Sequence, residues 1–454
     1  MTLLSSDHAL EVCQALVKAS PADETEVTLQ SEEDRFVRFS PEGPSQNGDR
    51  ERHSLSIRVR LQSDAGWKEA RATVGTFGES ETRAALGRAM ALAGAAAPDP
   101  KRLPLEGAVE IPGSAPHRPT QDHSFREKAE WIERAMASCA EADLAPAGLA
   151  RTTVYSRTLV NSAGRVAEGA LSRAHFSLTA SPTDGTGDGG VAEQTHCDVG
   201  CIDADQVIAR AVDRGRRGRN PRLLPAQEYT VVLEPLAVSS LMLFLGYAGF
   251  GAQELHERRS PLVGRIGERM FPDGLQLHDD AGSADHPGWR FDGEGTPRTR
   301  VPLIQDGAFG QPVTDARWAK LLDLPNTGHS APQPSSSGPS PENLVMGAGM
   351  ESVEQLISGV DNGLLISQFH YTNLIEPRDM ILTGMTRGGT FHIQGGQVGE
   401  SVCNLRFTQS LVEALTRVSG IGNRPEIVGA LFDGEIVCPA LRIDGFRFTS
   451  ATEL

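Results

Sequence analysis

Residues 229–247 decide the fold of the second half of the chain, and they read Tyr-Thr-Val-Val-Leu-Glu-Pro-Leu-Ala-Val-Ser-Ser-Leu-Met-Leu-Phe-Leu-Gly-Tyr. The first residues are mostly β-branched or apolar and stop at Pro235, which predicts a short buried strand. From Leu236 onward, apolar side chains fall on every side of a helix, which predicts a fully buried helix. A membrane span needs about 18 apolar residues or more, so this run is too short for one.

The composition indicates a large globular protein, because 454 residues suffice for two or three domains. Forty-three Lys and Arg against 59 Asp and Glu give a net charge of −16, which disfavours nucleic acid and anionic membrane surfaces as partners. A basic run at 210–219 is more typical of a solvated helix end than of a nucleic-acid site. The N-terminus lacks the features of a signal peptide, and six scattered cysteines are typical of a reduced protein. We therefore expect a cytoplasmic protein.

The overall pattern predicts an α+β fold in two domains. Residues 1–222 form an N-terminal α+β domain, in which a strand meander lies between helices and a linker covers about 98–119. Residues 223–454 form a strand-rich C-terminal domain, an antiparallel sheet or a barrel-like sheet. Two polar segments are expected to lack regular structure: a loop at 41–52, and a mobile surface loop at 332–341 that is rich in proline and serine.

Three groups of residues have some character of metal ligands, and each has a structural alternative. His256-Glu257 has no second histidine one turn later, which favours an exposed charged helix end. His196, Cys197 and Cys201 lack a fourth ligand at matched spacing. The acidic loop at 278–286, with a histidine at each end, could chelate a cation, but its composition favours a solvated loop. The predicted α-helix after Pro235 contains no histidine, so it is not a zinc-binding helix.

A polar cluster near residues 370–387 is the remaining candidate site. A predicted strand ends in His370, Tyr371 and Thr372, and the chain then returns through Arg378 and Arg387. Convergent polar groups at one rim can bind a ligand. They can equally anchor a loop by hydrogen bonds, and the residue types leave both interpretations open.

Several motifs together resemble the TldD/PmbA (TldD/TldE) family of modulator proteins and metallopeptidases. The resemblance covers about residues 10–450, and its motifs begin at Val160, Tyr229, Phe291, Tyr371 and Asn404: Val-Asn-Ser-Ala-Gly, Tyr-Thr-Val-Val-Leu-Glu-Pro-x-Ala-Val, Phe-Asp-Gly-Glu-Gly-Thr-Pro, Tyr-Thr-Asn-Leu-Ile-Glu-Pro-Arg and Asn-Leu-Arg-Phe-Thr-Gln-Ser. One kind of subunit in that family carries His-Glu-x-x-x-His on the helix after the strand, with a late cysteine completing a zinc site. This chain resembles the other kind, PmbA or TldE, because its helix lacks both histidines.

The resemblance implies a cytosolic heterodimer that cleaves peptides or peptide-like substrates. Zinc and the catalytic groups would belong to a TldD-like partner, while this chain would hold no cofactor and no catalytic residue. It would shape the chamber and bind substrate through His370, Tyr371, Thr372, Arg378, Arg387 and Cys438, the last near the position of the family's late cysteine. Two alternatives stay open: a self-contained hydrolytic tailoring enzyme that acts on a peptide-like small molecule, and a non-catalytic regulatory or binding protein.

Overall fold

The computed structural model describes residues 4–429 and 435–452. Its first part is a six-stranded antiparallel sheet in the order β3-β2-β1-β4-β5-β6. The strands are β1 (Glu24–Ser40), β2 (Gly43–Ser63), β3 (Gly66–Val74), β4 (Leu144–Asn161), β5 (Val166–Pro182) and β6 (Gly190–His196). The strand meander of the sequence prediction is therefore present, with longer strands than the pattern indicated.

Helices cover one face of this sheet. They are α1 (Ser6–Ala19), α2 (Glu79–Ala95), α3 (Arg118–Asp122), α4 (Phe125–Glu141) and α5 (Ala204–Arg217). Because side chains alternate along a strand, Val27 and Leu29 of β1 pack in the core beneath α1 and α2. Thr28 and Gln30 point to the opposite face, where they meet loops from the second half of the chain. The sheet thus has one apolar face and one polar face.

The prediction of a polar loop at 41–52 is wrong. The turn takes up residues 41–42, and β2 begins at Gly43. This part of β2 is exposed on both faces, so no alternation of apolar residues marks it as a strand. Cross-strand charges support it instead, since Arg35 Nε lies 3.6 Å from Asp49 Oδ1 and Arg52 Nη1 lies 3.7 Å from Glu32 Oε1.

The second half of the chain contains a closed five-stranded barrel. Its strands pair in the order β12-β7-β19-β15-β13, and β13 pairs with β12 to close the ring. They are β7 (Glu228–Leu233), β12 (Asn362–Glu376), β13 (Ile381–Gln394), β15 (Leu405–Ser410) and β19 (Leu441–Ala451). The β7–β12 pair is parallel and the other pairs are antiparallel. Strands β14 (Gln397–Ser401) and β16 (Val418–Ile421) extend the barrel wall.

A second sheet of short strands lies beside the barrel in the order β10-β9-β8-β11-β18-β17. Its strands are β8 (Leu277–Asp279), β9 (Val301–Gln305), β10 (Ala308–Phe309), β11 (Leu344–Met346), β17 (Glu426–Gly429) and β18 (Glu435–Cys438). Four short helices complete this half: α7 (Ala252–His256), α8 (Ala316–Leu322), α9 (Val353–Ser358) and α10 (Leu411–Thr416). The α+β class and the strand-rich second half are as the sequence predicts.

Helix α6 (Pro235–Gly249) follows β7 and packs between the barrel and the second sheet. Every residue of α6 except Leu243 and Tyr247 is buried, which confirms the sequence prediction. The hydroxyls of Ser239 and Ser240 donate to the Leu236 carbonyl at 3.0 and 3.1 Å, so their polarity is satisfied within the helix. Burying each large apolar side chain stabilises the fold by roughly 1.5–3 kcal/mol, which makes α6 the centre of the second core.

The predicted linker at 98–119 and the segment 332–341 are largely irregular, and both are packed against the rest of the molecule. In the predicted linker, the Leu105 amide donates to Glu24 Oε1 at 3.1 Å. In the segment 332–341, Gln333 is buried and accepts a hydrogen bond from Arg102 at 3.1 Å, while Gly338 and Pro339 are also buried. The latter segment is irregular, as its composition predicts, but it is not a free surface loop.

Charged side chains connect the two halves of the chain. Arg58 on β2 is buried and donates to Glu69 at 2.7 Å and, across the molecule, to Glu294 at 2.9 Å. Arg173 on β5 donates to Glu435 on β18 at 2.5 Å. The domain boundary near residue 222 falls between α5 and β7 and stays a prediction.

A fully buried hydrogen bond between His329 and Asp279 holds the second sheet to the loop that precedes β11. His329 Nε2 lies 2.9 Å from Asp279 Oδ1, and both side chains have no exposed surface. The other carboxylate oxygen of Asp279 accepts the backbone N–H groups of Glu342 and Asn343, both at 2.7 Å. Burial by itself raises the pKa of Asp279, but the hydrogen bond and charge of His329 outweigh it and lower the pKa from 3.8 to about 2.

Replacing Asp279 by Ala should destabilise the fold by about 3–5 kcal/mol at neutral pH, because the buried His329 and two backbone N–H groups lose their acceptor. Since the folded pKa is lower than the unfolded one, the carboxylate stabilises the fold fully above pH about 4 and loses this effect as the pH falls towards about 2. Urea unfolding of wild type and Asp279→Ala between pH 6 and pH about 2.5 should show the difference shrinking. The exposed Asp273→Ala serves as the control, and an equal effect of both substitutions would contradict the assignment.

Candidate functional site

The polar cluster of the sequence prediction lies on β12 and β13 of the barrel. The β12–β13 register shifts between His370 and Asn373, which makes Tyr371 an extra residue in the strand. Tyr371 has φ of 52° and is 70% exposed, so the bulge turns its ring out of the barrel. A left-handed backbone is uncommon for a residue other than glycine and marks a position with a local constraint.

His370, Tyr371 and Arg387 come together at the bulge, and Asp188 joins them. The rings of His370 and Tyr371 lie 4.2 Å apart between centroids. Arg387 Nε lies 4.0 Å from Asp188 Oδ1. Burial and the positive charge of Arg387 lower the pKa of His370, although Asp188 opposes this shift. We call these four residues the β12 rim.

Asp188 is the member of the rim that sequence reasoning missed. It lies in a glycine-rich turn between β5 and β6, whose composition predicts a flexible loop. Its Oδ2 accepts hydrogen bonds from the Gly388 amide at 3.1 Å and from Asn404 Nδ2 at 2.9 Å. Asn404 belongs to one of the motifs found in the sequence, but nothing in the turn distinguishes its partner Asp188 from Asp184, the other aspartate among these glycines.

Thr372 and Arg378 do not join the rim. The Thr372 side chain is buried, and its hydroxyl has no hydrogen-bond partner within the described residues. It lies behind the bulge, beside Gly384 of the neighbouring strand. Arg378 lies in the exposed turn that joins β12 to β13, where its backbone amide donates to Glu376 at 2.9 Å.

Cys438 lies on the second sheet, at the end of β18. Its side chain is fully buried, and Sγ donates to the Pro235 carbonyl in the first turn of α6 at 3.2 Å. Burial raises the pKa of the Cys438 thiol, and the nearby Glu426 raises it further. A neutral, buried thiol is a weak nucleophile and a weak metal ligand.

A cleft of about 600 Å³ separates α5 and β6 from the start of α6, and we call it the α5–α6 cleft. Three arginines spaced one turn apart on α5 line it, namely Arg210, Arg214 and Arg217. Arg210 makes a two-pronged contact with Glu426 at 2.8 and 2.9 Å. Arg214 pairs with Glu234, the residue before α6. The basic run is therefore not a solvated helix end, because acidic residues of the second half pair with it.

Glu234 holds the N-terminus of α6 in place through three interactions. It accepts from Arg214 of α5 and from the Ser367 hydroxyl of β12 at 2.5 Å. Its carboxylate also precedes the helix N-terminus, where negative charge is favourable. One side chain thus connects α5, β12 and α6 at the floor of the cleft.

Glu193 of β6 lines both the α5–α6 cleft and a second cavity of about 280 Å³ behind it. Burial raises the pKa of Glu193 to about 7, although the Gly429 amide donates to its Oε1 at 2.7 Å. The second cavity is also lined by Glu435, His175 and Ser240. A carboxyl group with this pKa can donate or accept a hydrogen bond near neutral pH, which suits contact with a peptide backbone.

The second half of the chain matches a known protein family. The model of the PmbA/TldA metallopeptidase C-terminal domain matches residues 226–450, the part of the chain that holds β7, α6 and the barrel. This chain belongs to the PmbA/TldD family.

Relatives in the family are metalloproteases. A metalloprotease of Methanothermobacter thermautotrophicus is 24% identical over 348 residues, which is 70% of this chain and 73% of that protein. Metalloprotease PmbA of Escherichia coli O157:H7 is 24% identical over 232 residues, 50% of this chain and 48% of that protein. The crystal structure of TldE from Thermococcus kodakarensis superposes with a TM-score of 0.83 at 18% identity, covering 98% of this chain and 99% of that one. It shares the fold from end to end.

The metal of a metalloprotease does not fit this member of the family. Helix α6 contains no histidine, cysteine, aspartate or glutamate, and Cys438 is enclosed by carbonyl and apolar groups. Within residues 4–429 and 435–452, no three side chains of these types are arranged to hold a metal ion. Cys197 Sγ lies 3.4 Å from His117 Nε2 and 3.7 Å from His196 Nδ1. Cys201, the third residue of the candidate group His196, Cys197 and Cys201, is exposed.

The other candidate metal ligands have structural partners. His256 packs at 5.4 Å from the Trp318 ring, between centroids. His286 is buried, with its Nδ1 3.4 Å from Glu435 Oε2.

Of the helices that the structure describes, none has the length and apolarity needed to cross a bilayer.

The position of Cys438 predicts its reactivity. A thiol-reactive chromogenic disulfide should modify the exposed Cys201 quickly and Cys438 only when the protein unfolds, because access and thiolate formation both limit the reaction. Cys201→Ser should remove the fast phase and Cys438→Ser should leave it unchanged. Loss of the fast phase in Cys438→Ser would contradict a buried, structural thiol.

Proposed function

We propose that this chain is the non-metal, TldE-like subunit of a heterodimeric zinc metallopeptidase that cleaves peptides or peptide-like substrates. A PmbA/TldD-family partner with His-Glu-x-x-x-His holds the zinc, and this chain shapes the chamber and binds substrate. The observation that carries the proposal is α6: the helix, its strand β7 and the barrel are intact, while the helix has no metal ligand. An intact scaffold without ligands is expected where the paired subunit holds the chemistry.

The chemistry of the complex then divides between the two subunits. The partner's His-Glu-x-x-x-His residues would hold the zinc, which would supply an activated water and Lewis-acid chemistry. The residues of this chain position the peptide and exclude water from it. Its family membership and the metalloprotease relatives support this division of labour.

Two features support peptide binding by this chain. Beyond Ile366, β12 pairs with β13 and with no other described strand, so one edge of residues 368–376 has no strand neighbour. A free edge can add an extended peptide by backbone hydrogen bonds, which tolerates many side chains. The exposed Tyr371 and Ile375 lie on this part of β12 and provide apolar contact area.

The purified chain alone should bind no stoichiometric zinc and should not hydrolyse peptides, because α6 has no imidazole and Cys438 has no co-ligands. Co-expression with a paralogue that carries His-Glu-x-x-x-His should give a complex with about one zinc per heterodimer and peptidase activity that a chelator removes. Elemental analysis and a fluorogenic peptide assay measure both quantities.

A different result would replace the proposal. If the lone chain hydrolyses peptides in the presence of a chelator, and Cys438→Ala or His370→Ala abolishes the activity, the chain is a self-contained hydrolase. If the complex forms but its activity equals that of the partner alone, this chain is a binding or regulatory protein.

Within the complex, Tyr371→Ala or Arg378→Ala should raise KM more than it lowers kcat, since each removes contacts made equally in the ground and transition states. We expect a rise in KM of about three- to tenfold, which corresponds to roughly 0.6–1.4 kcal/mol of binding. Arg406→Ala, an exposed arginine on barrel strand β15, is the matched control. A fall in kcat with unchanged KM would mean that these residues act on the chemical step instead.

A further inference from the structure

The polar face of the N-terminal sheet carries an unusual row of side chains. Across three strands, Thr73 of β3 lies opposite Ser56 of β2, and Ser56 lies opposite Thr28 of β1. The next row contains Ser54 opposite Gln30, and Gln30 opposite Arg157 of β4. Hydroxyl and amide groups therefore form a continuous polar floor, where apolar side chains would be expected under a covered sheet.

A cavity of about 210 Å³ lies above this floor, beneath Asp292, Gly293 and Pro332 of the second half. Arg71 on β3 and Arg157 on β4 line it from two sides. The cavity reaches solvent at Thr73, which is exposed. It is separate from the β12 rim and from the α5–α6 cleft, with which it shares no lining residue.

Arg157 has no carboxylate at ion-pair distance in the described part of the chain, although the charges of Glu342 and Asp292 favour its protonated form. Its guanidinium packs at 4.3 Å from the Trp289 ring centroid, and no described carboxylate forms an ion pair with it. With the Gln30 amide oxygen turned towards it, Gln30 accepts from Nε and Nη2 at 2.9 and 3.2 Å. Burial lowers the pKa of Arg157 to about 10, so the group is still charged at neutral pH.

Arg71 has incomplete hydrogen bonding as well. Its Nη2 lies 3.6 Å from Glu26 Oε1, which is too long for a hydrogen bond, and its buried Nε has no partner among the described residues. Glu26 lies in the adjoining row, where Arg58 shares its charge at 3.6 Å. Buried guanidinium groups normally have all their donors paired, so two under-used guanidinium groups in one cavity indicate room for an acceptor.

The carboxyl group in the roof does not fill this role. Asp292 Oδ1 accepts the amides of Glu294 and Thr296, both at 2.9 Å, and Oδ2 accepts the Ser330 amide at 2.8 Å. These bonds hold the Asp292 carboxyl against the 292–296 turn and the Ser330 amide. The residues that line the cavity therefore present two guanidinium groups and several hydroxyls. Glu26, beside Arg71, has two buried oxygens without a hydrogen-bond partner among the described residues, but it is not part of the lining.

We propose that this cavity binds a small oxyanion, a carboxylate or phosphate group held between Arg71 and Arg157 above the hydroxyl floor. A planar guanidinium matches the paired oxygens of either group, and serine and threonine hydroxyls can donate to the remaining oxygens. The ligand connects the N-terminal sheet to the segments that contain Asp292 and Pro332, so its binding stabilises the contact between the two halves of the chain.

Calorimetric titration of the full chain with sodium phosphate and, separately, sodium succinate tests the proposal, with sodium chloride at matched ionic strength as the reference. We expect saturable one-to-one binding of at least one anion with a Kd below about 1 mM, and the tighter anion identifies the group. Arg157→Gln and Arg71→Gln should each weaken binding at least about tenfold. Ser56→Ala, which keeps both charges, should weaken it by a smaller factor. Arg38→Gln, an exposed arginine on β1 outside the cavity, is the matched control.

Thermal unfolding of each variant separates lost binding from lost folding, and the bound anion should raise the Tm of wild type but not of Arg157→Gln. Absence of saturable binding of both anions to wild type would overturn the proposal and leave a water-filled cavity. Equal weakening by Arg38→Gln would also overturn it, because general electrostatic attraction would then explain the binding.

Discussion

The hydrogen bonds of β7 to strands on both sides constrain the rest of the second half. Residues 230–233 pair in parallel with residues 363–366 of β12, and residues 231–233 pair antiparallel with residues 441–443 of β19. Parallel neighbours need a long crossover connection, and here that connection contains α6 and the strands β8 to β11 of the second sheet. The strand therefore determines where α6 begins and which strands enclose it. Glu234, the first residue after β7, then connects that position to α5 through Arg214.

Most of the fold could be predicted where burial is one-sided or complete. The apolar run of α6 and the alternation of Leu55, Ile57 and Val59 reflect burial that the sequence pattern records directly. The part of β2 at 43–52 shows no alternation of apolar and polar residues, because it is exposed on both faces and its pairing depends on charges from β1. The packing of Gln333 depends on Arg102, and local composition carries no information about a partner so far away.

In the candidate site, too, the sequence predicts local neighbours but not contacts between distant segments. Residues close in sequence on β12 and its partner strand, namely His370, Tyr371 and Arg387, are adjacent in the structure. Thr372 was grouped with them, but the bulge at Tyr371 reverses the alternation and buries it. Asp188 reaches the barrel from the first half and Glu193 reaches β17 of the second sheet, so their roles depend on contacts between distant segments. Burial sets the pKa of Glu193, and burial at this position is a tertiary property.

Barrel closure by the last strand has a consequence for the order of folding during synthesis. The N-terminal sheet is built from two sets of hairpins joined by the β1–β4 pair, and all of its strands lie within residues 24–196, so it can form as soon as these residues have left the ribosome. Helix α6 emerges soon afterwards, apolar on nearly every side, while the strands β12, β17 and β18 that pack against it are made more than 100 residues later. Contacts between segments so far apart in sequence form slowly, because the entropy of closing a long loop is lost before they stabilise the chain. During that interval the α6 segment exposes apolar surface that a chaperone could bind.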